Sequence, residues 1–160
     1  MTDLNEYLTP FQKQMITELN NHDVRYLVVG ALAVAYHGYP RASEDLDIFF
    51  EQSRPNIDRL IRALDAFTDG EFSTVRTRDD LMEIEAFFVG EGTNVIDFLS
   101  IIDGVTFNQC WEHRVSFETI EETIPVIARE QLIKNKKNTG RTRDKADVEA
   151  LENDITENDS

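Results

Sequence analysis

Two aspartates separated by one apolar residue, Asp45 and Asp47, are the residues of this sequence best suited to chemistry. They lie in a short β-rich run, and strand side chains alternate, so both carboxylates point to one side, roughly 6 to 7 Å apart. Because two ionised carboxylates repel each other and lose hydration when buried, a positive charge is expected beside them. Oxygen ligands at this spacing suit Mg²⁺, as a pair of ions, with Mn²⁺ as the alternative. The simpler interpretation is a solvated edge strand in which acidic and apolar residues alternate.

A third carboxylate, Asp97, is flanked by apolar residues in another predicted strand. An unpaired charge is costly there, so Asp97 is expected to join the pair if its strand neighbours theirs. It would then bind a metal ion and help to deprotonate an attacking hydroxyl. A surface strand position or a helix cap is the alternative.

Gly30 ends an apolar run at a predicted strand-to-helix turn. A missing side chain there lets a phosphate approach the first backbone N–H groups of the helix. A simple tight turn is the alternative. His37, at the end of the same helix, either contacts the substrate base or has a structural role, which is more usual for one histidine in that position.

Cationic and hydroxyl side chains supply candidate phosphate ligands. Arg41 precedes the acidic strand and suits either a phosphate or an aspartate, because its guanidinium forms paired hydrogen bonds. Ser43 suits a phosphate, a metal-bound water or its own turn. Six of the 16 Lys and Arg residues lie between positions 134 and 145, where Asp144 is the one acid. This run is either a phosphate site or a solvated helix, and Asp144 and Asp147 are expected to pair with it.

The elements that must position these residues alternate along the first half of the chain. Hydrophobic spacing predicts an opening helix capped by Thr9 and Pro10, then strand, helix, strand and helix. Three β-like runs follow, the last two forming a hairpin, and the chain ends in two helices. The predicted ranges are 25–30 (strand), 31–37 (helix), 46–50 (strand), 55–67 (helix), 72–76, 82–89, 93–99 and 115–117 (strands), and 129–137 and 142–151 (helices). The sequence therefore predicts one α/β or α+β domain over residues 1–151, with 152–160 as a flexible acidic tail.

The order of these motifs resembles the polymerase-beta-like nucleotidyltransferase superfamily. There a strand ending in Gly and a small residue, here Gly30-Ala31, precedes an Asp-apolar-Asp-apolar motif by about a dozen residues. The strings from Gly30 to Gly38 and from Arg41 to Asp47 are similar to those of small bacterial members related to abortive-infection toxins. The C-terminal pattern of Lys136, Gly140-Arg141, Asp144 and Asp147 is also similar. Ala31 departs from the family pattern, which has Gly or Ser at that position.

The resemblance implies a mixed central β-sheet with helices packed on it. It also implies transfer of a nucleoside monophosphate from a nucleoside triphosphate to an acceptor hydroxyl on an RNA end, a protein or a small molecule. Asp45, Asp47 and Asp97 would be catalytic, and Gly30, Ala31, Lys136 and Arg141 would face the nucleotide. A toxin–antitoxin role with an antitoxin partner is the corresponding biological expectation. The alternative is an inactive module of the same fold that binds a nucleotide or a protein.

Composition limits the function classes. The chain has 160 residues and a formal net charge of −15, which opposes general DNA or RNA coating, because such binding depends on Lys and Arg neutralising phosphates. One cysteine, Cys110, allows no internal disulfide and favours a reduced, cytoplasmic setting. No apolar stretch is long enough to span a membrane. These features leave room for one polyphosphate at one local basic site.

Overall fold

The computed structural model describes residues 6–39 and 45–159, with side chains placed as far as residue 153. These residues form a mixed α/β fold with a six-stranded sheet. The helices are α1 (Pro10–Asn21), α2 (Gly30–Tyr36), α3 (Arg54–Thr68), α4 (Phe72–Val75), α5 (Arg78–Glu83), α6 (Phe107–Glu112), α7 (Arg129–Lys137) and α8 (Thr142–Asp159). The strands are β1 (Tyr26–Val29), β2 (Leu46–Phe50), β3 (Ala86–Glu91), β4 (Asn94–Leu99), β5 (Val115–Glu118) and β6 (Thr123–Val126).

The sheet has the strand order β3-β4-β2-β1-β6-β5. Strand β2 pairs in parallel with β4 and antiparallel with β1, while β1 pairs in parallel with β6. The two outer pairs, β3 with β4 and β5 with β6, are antiparallel. The central strands β1 and β2 are therefore flanked on both sides, which accounts for their nearly continuous apolar sequence.

The side chains of β2 alternate between the two faces of the sheet, one of which packs in the hydrophobic core. Leu46, Ile48 and Phe50 are fully buried. Phe50 packs near Phe87 of β3, whose ring also stacks on Phe98 of β4 at 4.9 Å. The opposite face of β2 carries Asp47, as strand alternation predicted.

Two local predictions, the cap of α1 and the hairpin, are confirmed by the structure. Thr9 and Gln12 form a reciprocal capping box at the start of α1, with Pro10 as the first helical residue. The predicted hairpin joins β3 to β4, with Glu91 paired to Asn94. No helix in the described part of the chain is both long and apolar enough to cross a bilayer.

The predicted strand at 72–76 is wrong, because Phe72–Val75 forms the short helix α4. Its first amides are held by side chains at the end of α3, where Thr68 Oγ1 accepts from the Phe72 N–H and Asp65 Oδ1 from the Ser73 N–H. The β-branched residues of this run do not alternate between core and solvent, since Phe72 alone is buried. Capping by side chains of the preceding helix thus overrides a weak β preference.

The predicted strand at 82–89 begins too early, because residues 82 and 83 belong to α5 and β3 starts at Ala86. A capping box between Thr77 and Asp80 starts α5 and was visible in the sequence. Two further elements, α6 and β6, were not predicted. Helix α8 runs to Asp159, past its predicted end near Leu151; residues 152–159 contain neither Gly nor Pro to stop it.

Candidate functional site

The pairing of β2 with β4 brings two of the predicted aspartates together. Asp47 lies directly opposite Asp97 in this parallel pair, and Val29, the residue before Gly30, lies opposite Asp47 on β1. Asp45 stands immediately before β2 and is exposed. The condition set by the sequence, that the strand of Asp97 should neighbour that of Asp45 and Asp47, is met.

Burial and mutual repulsion perturb the two facing carboxyl groups. Desolvation, with the charges of Asp97 and Asp45, raises the pKa of Asp47 to about 7. Desolvation and the charge of Asp45 also raise the pKa of Asp97, while a hydrogen bond with Asp47 opposes that rise. Protonated Asp47 therefore donates a hydrogen bond to the Asp97 carboxylate. A proton on Asp47 reduces the repulsion between the two carboxyl groups, as a nearby positive charge would.

Gly30 makes room for Asp47. Its φ of +69° lies in the left-handed region, and a Cβ added at this position would overlap the Asp47 carboxylate oxygen Oδ2. The glycine is therefore required for two independent reasons, backbone conformation and the close approach of a side chain. The space predicted for a phosphate beside Gly30 is therefore shared with the Asp47 side chain.

An open cleft of about 630 Å³ contains the candidate residues. Residues 29–31 at the end of β1 and the three aspartates form part of its lining. Leu99 and residues 101–103 line it from the end of β4 onward. The C-terminal helices and their connection contribute Asn135, Lys136, Thr139, Arg141, Arg143 and Asp144. All the predicted catalytic, metal-binding and phosphate-binding residues within the described ranges thus share one cavity. Arg41 and Ser43 lie outside the described residues.

Lys136 lines the cleft, but its charge is already engaged. Its Nζ lies 2.9 Å from Asp144 Oδ1 and 3.0 Å from Asp147 Oδ2, and the lysine side chain is only 6% exposed. Asp144 also accepts a hydrogen bond from Thr139 Oγ1 at 2.6 Å. Although burial would raise the pKa of Asp144, hydrogen bonds from Thr139 and Lys136 and nearby positive charge lower it. The expected pairing of Asp144 and Asp147 with the basic run is confirmed.

The exposed cations of the cleft are arginines. The Arg141 side chain is 76% exposed, and its Nε lies 3.8 Å from Asp144 Oδ2, a loose contact in solvent. Arg143 is also exposed and lines the same wall. It belonged to the basic run in the sequence, but nothing in the spacing separated it from its basic neighbours.

His37 has a structural contact. It is buried, and its Nε2 lies 2.9 Å from the backbone oxygen of Ile127, which follows β6. Arg129 donates to the His37 carbonyl oxygen from the start of α7. The histidine therefore joins α2 to the β6–α7 connection, and it does not line the cleft.

The acidic group fits a divalent cation in its chemistry. No three His, Cys, Asp or Glu residues within 6–39 and 45–153 form a ready metal-binding group. Mg²⁺, however, commonly takes only one or two protein carboxylates and completes its shell with water and substrate phosphates. Asp47 and Asp97 supply two facing carboxyl groups, and Asp45 a third at the rim. Their accumulated negative charge is the property that favours a cation.

No protein-family model matches this chain, and no curated protein matches it significantly.

Proposed function

We propose that the protein is a metal-dependent nucleotidyltransferase. The observation that carries this proposal is the convergence, in one cleft, of Asp45, Asp47 and Asp97 with Gly30 and two exposed arginines, Arg141 and Arg143. This arrangement combines a negative site for a divalent cation with positive groups for a polyphosphate. Phosphoryl transfer needs such a combination, because positioning and charge neutralisation supply most of its catalysis.

The three aspartates would hold Mg²⁺ or Mn²⁺, which when bound supplies positive charge to the triphosphate and to the reacting phosphoryl group. Arg141 and Arg143 would bind phosphate oxygens from the wall formed by α8 and its preceding turn. Gly30 and Ala31 would lie beside the triphosphate at the end of β1. Lys136 would act through the cleft potential and by fixing α7 to α8, since its ammonium is held by two carboxylates.

Asp97 is the proposed general base. It lies on β4, one strand further from Gly30 than Asp47 does. The acceptor hydroxyl oxygen would attack the α-phosphorus while its proton passes to the Asp97 carboxylate. The bond from the α-phosphorus to the oxygen that bridges the α- and β-phosphates would break, and pyrophosphate would leave. The products are a nucleotidylated acceptor and pyrophosphate.

The proposal is tested by incubating the chain with each α-labelled nucleoside triphosphate, Mg²⁺ and a cell extract. The native chain should label an acceptor, while Asp45→Asn/Asp47→Asn should not. Asp103→Asn provides a control, because Asp103 is exposed in the same cleft but lies outside the aspartate row. Equal labelling by the native and double-variant chains would refute the site. If neither chain labels anything and calorimetry detects nucleotide binding, the protein is a binding module.

The biological role that we propose, by resemblance, is that of a toxin held in check by an antitoxin. Induced expression of the native chain should then arrest growth, and Asp45→Asn/Asp47→Asn should relieve the arrest at equal protein level. Growth arrest that persists in the double variant would refute a toxicity based on nucleotidyl transfer.

A further inference from the structure

The row of facing residues that forms the site continues by one strand. Val29, Asp47 and Asp97 occupy matching positions on β1, β2 and β4, and Phe88 of β3 lies directly opposite Asp97. Residues opposite one another in a sheet project from the same face. Phe88 therefore stands on the aspartate face, one strand beyond Asp97.

Phe88 is unusual because its ring is in water. It is 65% exposed, whereas its neighbour Phe87 is buried against Phe98 and Phe72 on the other face. Among the large apolar residues of the described chain that are clearly exposed, Phe88 is the only aromatic one. Such a ring next to a cleft is a candidate surface for a planar ligand.

The position of Asp97 places the acceptor near β3. Asp97, the proposed general base, lies on β4, and β3 is the next strand toward the edge of the sheet. The acceptor hydroxyl must reach the Asp97 carboxylate to give up its proton. An acceptor held at Asp97 therefore lies beside β3 and Phe88.

We propose that Phe88 is an acceptor-positioning residue on which the terminal base of an oligonucleotide stacks, with the hydroxyl of that nucleotide placed at Asp97. This inference rests on the proposed function. Adjacent strands lie about 5 Å apart, comparable with the span of a ribose between its base and its hydroxyl groups. Base stacking on aromatic side chains tolerates any sequence, since every base has a flat face.

A second feature favours a nucleotide over a protein hydroxyl. Arg76 is exposed and lines, with Phe88, a groove along this edge strand, so its guanidinium is a candidate ligand for the phosphate preceding the terminal nucleotide. Exposed Glu85 and Glu91 flank the strand, so a long nucleic-acid contact would be repelled. The arrangement suits the last one or two nucleotides of a single strand.

The test compares the native chain with Phe88→Ala, Phe88→Trp and the control Ile120→Ala. Ile120 is fully exposed in the turn between β5 and β6, at the opposite edge of the sheet, so its truncation matches the loss of exposed apolar surface. The probe is a short oligoribonucleotide of mixed sequence carrying a 5′ fluorophore. Its binding is measured by anisotropy, and its extension is measured with nucleoside triphosphate and Mg²⁺.

Phe88→Ala should raise both the Kd and the KM for the oligoribonucleotide, roughly 5- to 150-fold, and leave the KM for the triphosphate unchanged. Phe88→Trp and Ile120→Ala should behave as the native chain does. The inference would be overturned if Phe88→Ala left the Kd for the oligoribonucleotide unchanged. It would also be overturned if Phe88→Ala raised the KM for the triphosphate and not that for the oligoribonucleotide. Labelling of protein but never of RNA would also overturn it while leaving nucleotidyl transfer intact. If the native chain transfers nothing but Phe88→Ala still weakens oligoribonucleotide binding, the proposed chemistry fails and the contact stands.

Discussion

Replacing Asp47 by asparagine should stabilise the protein at alkaline pH while abolishing the proposed activity. Burial and the neighbouring carboxylates raise the pKa of Asp47 from 3.8 to about 7. The folded protein therefore keeps a proton that the unfolded chain loses at lower pH, and stability falls as pH rises through this window. The asparagine side chain of the variant would carry no such proton, and its amide could still donate a hydrogen bond to Asp97.

The size of the effect follows from that gap of about three pH units. Each unit corresponds to about 1.4 kcal/mol, so the full penalty above pH 7 is at most about 4 kcal/mol. Asp47 is only partly buried, and solvent screening lowers this figure to roughly 2 to 4 kcal/mol. Between about pH 5.5 and pH 7, the difference in unfolding free energy between Asp47→Asn and the native chain should grow by about 1 to 2 kcal/mol.

The assay is urea unfolding of both chains from about pH 5.5 to pH 8 with a chelator, staying above the sequence pI of about 4.5, where low net charge promotes association. Asp103→Asn is the control, because it removes a carboxylate from an exposed position in the same cleft. Added Mg²⁺ should stabilise the native chain at pH 8 more than it stabilises Asp47→Asn. A difference between Asp47→Asn and the native chain that stays constant with pH would refute the reasoning, since it would mean that folded Asp47 holds no proton.

Three further substitutions test other parts of the site. Gly30→Ala should destabilise the fold by about 3 kcal/mol or more and abolish activity, because the added Cβ would displace the Asp47 carboxylate. The control Gly92→Ala should cost only about 1 kcal/mol, because Gly92 also has a positive φ but lies in open space. Lys136→Met should lower the unfolding free energy by about 3 to 5 kcal/mol, since it leaves two buried carboxylates without their cation. Arg141→Ala should raise the KM for nucleoside triphosphate about fivefold and weaken its dependence on salt, without changing stability.

Chemical denaturation checks the first two of these predictions, and steady-state kinetics at two ionic strengths checks the third. Equal destabilisation by Gly30→Ala and Gly92→Ala would show that Gly30 is needed only for its backbone angle. A native-like unfolding free energy for Lys136→Met would mean that Asp144 and Asp147 do not depend on the lysine for charge compensation. An unchanged triphosphate KM in Arg141→Ala would remove that arginine from the phosphate wall.

Much of the local structure could be predicted because it depends on short-range signals. The Thr9 cap and Pro10 start α1, and alternation places Asp47 opposite the buried face of β2. Gly90 near the end of β3 and Gly92 in the turn mark the β3–β4 hairpin. The wrong predictions between residues 72 and 86 also concern short-range signals. Short runs with β-branched residues were assigned to strands, although caps from Thr68 and the Thr77 capping box commit them to helices.

The sequence by itself determined which side chains could do chemistry, since residue type and strand alternation make Asp45, Asp47 and Asp97 acidic candidates wherever their strands lie. Only the tertiary structure decided that Asp97 faces Asp47, that Lys136 is held by two carboxylates, and that Phe88 is exposed beside the aspartates. These outcomes depend on strand order and register, which are set by the packing of segments far apart in the chain. Strand alternation fixes the side to which a side chain points, but the contact between Asp47 and Asp97 depends on the pairing of β2 with β4 in the folded sheet.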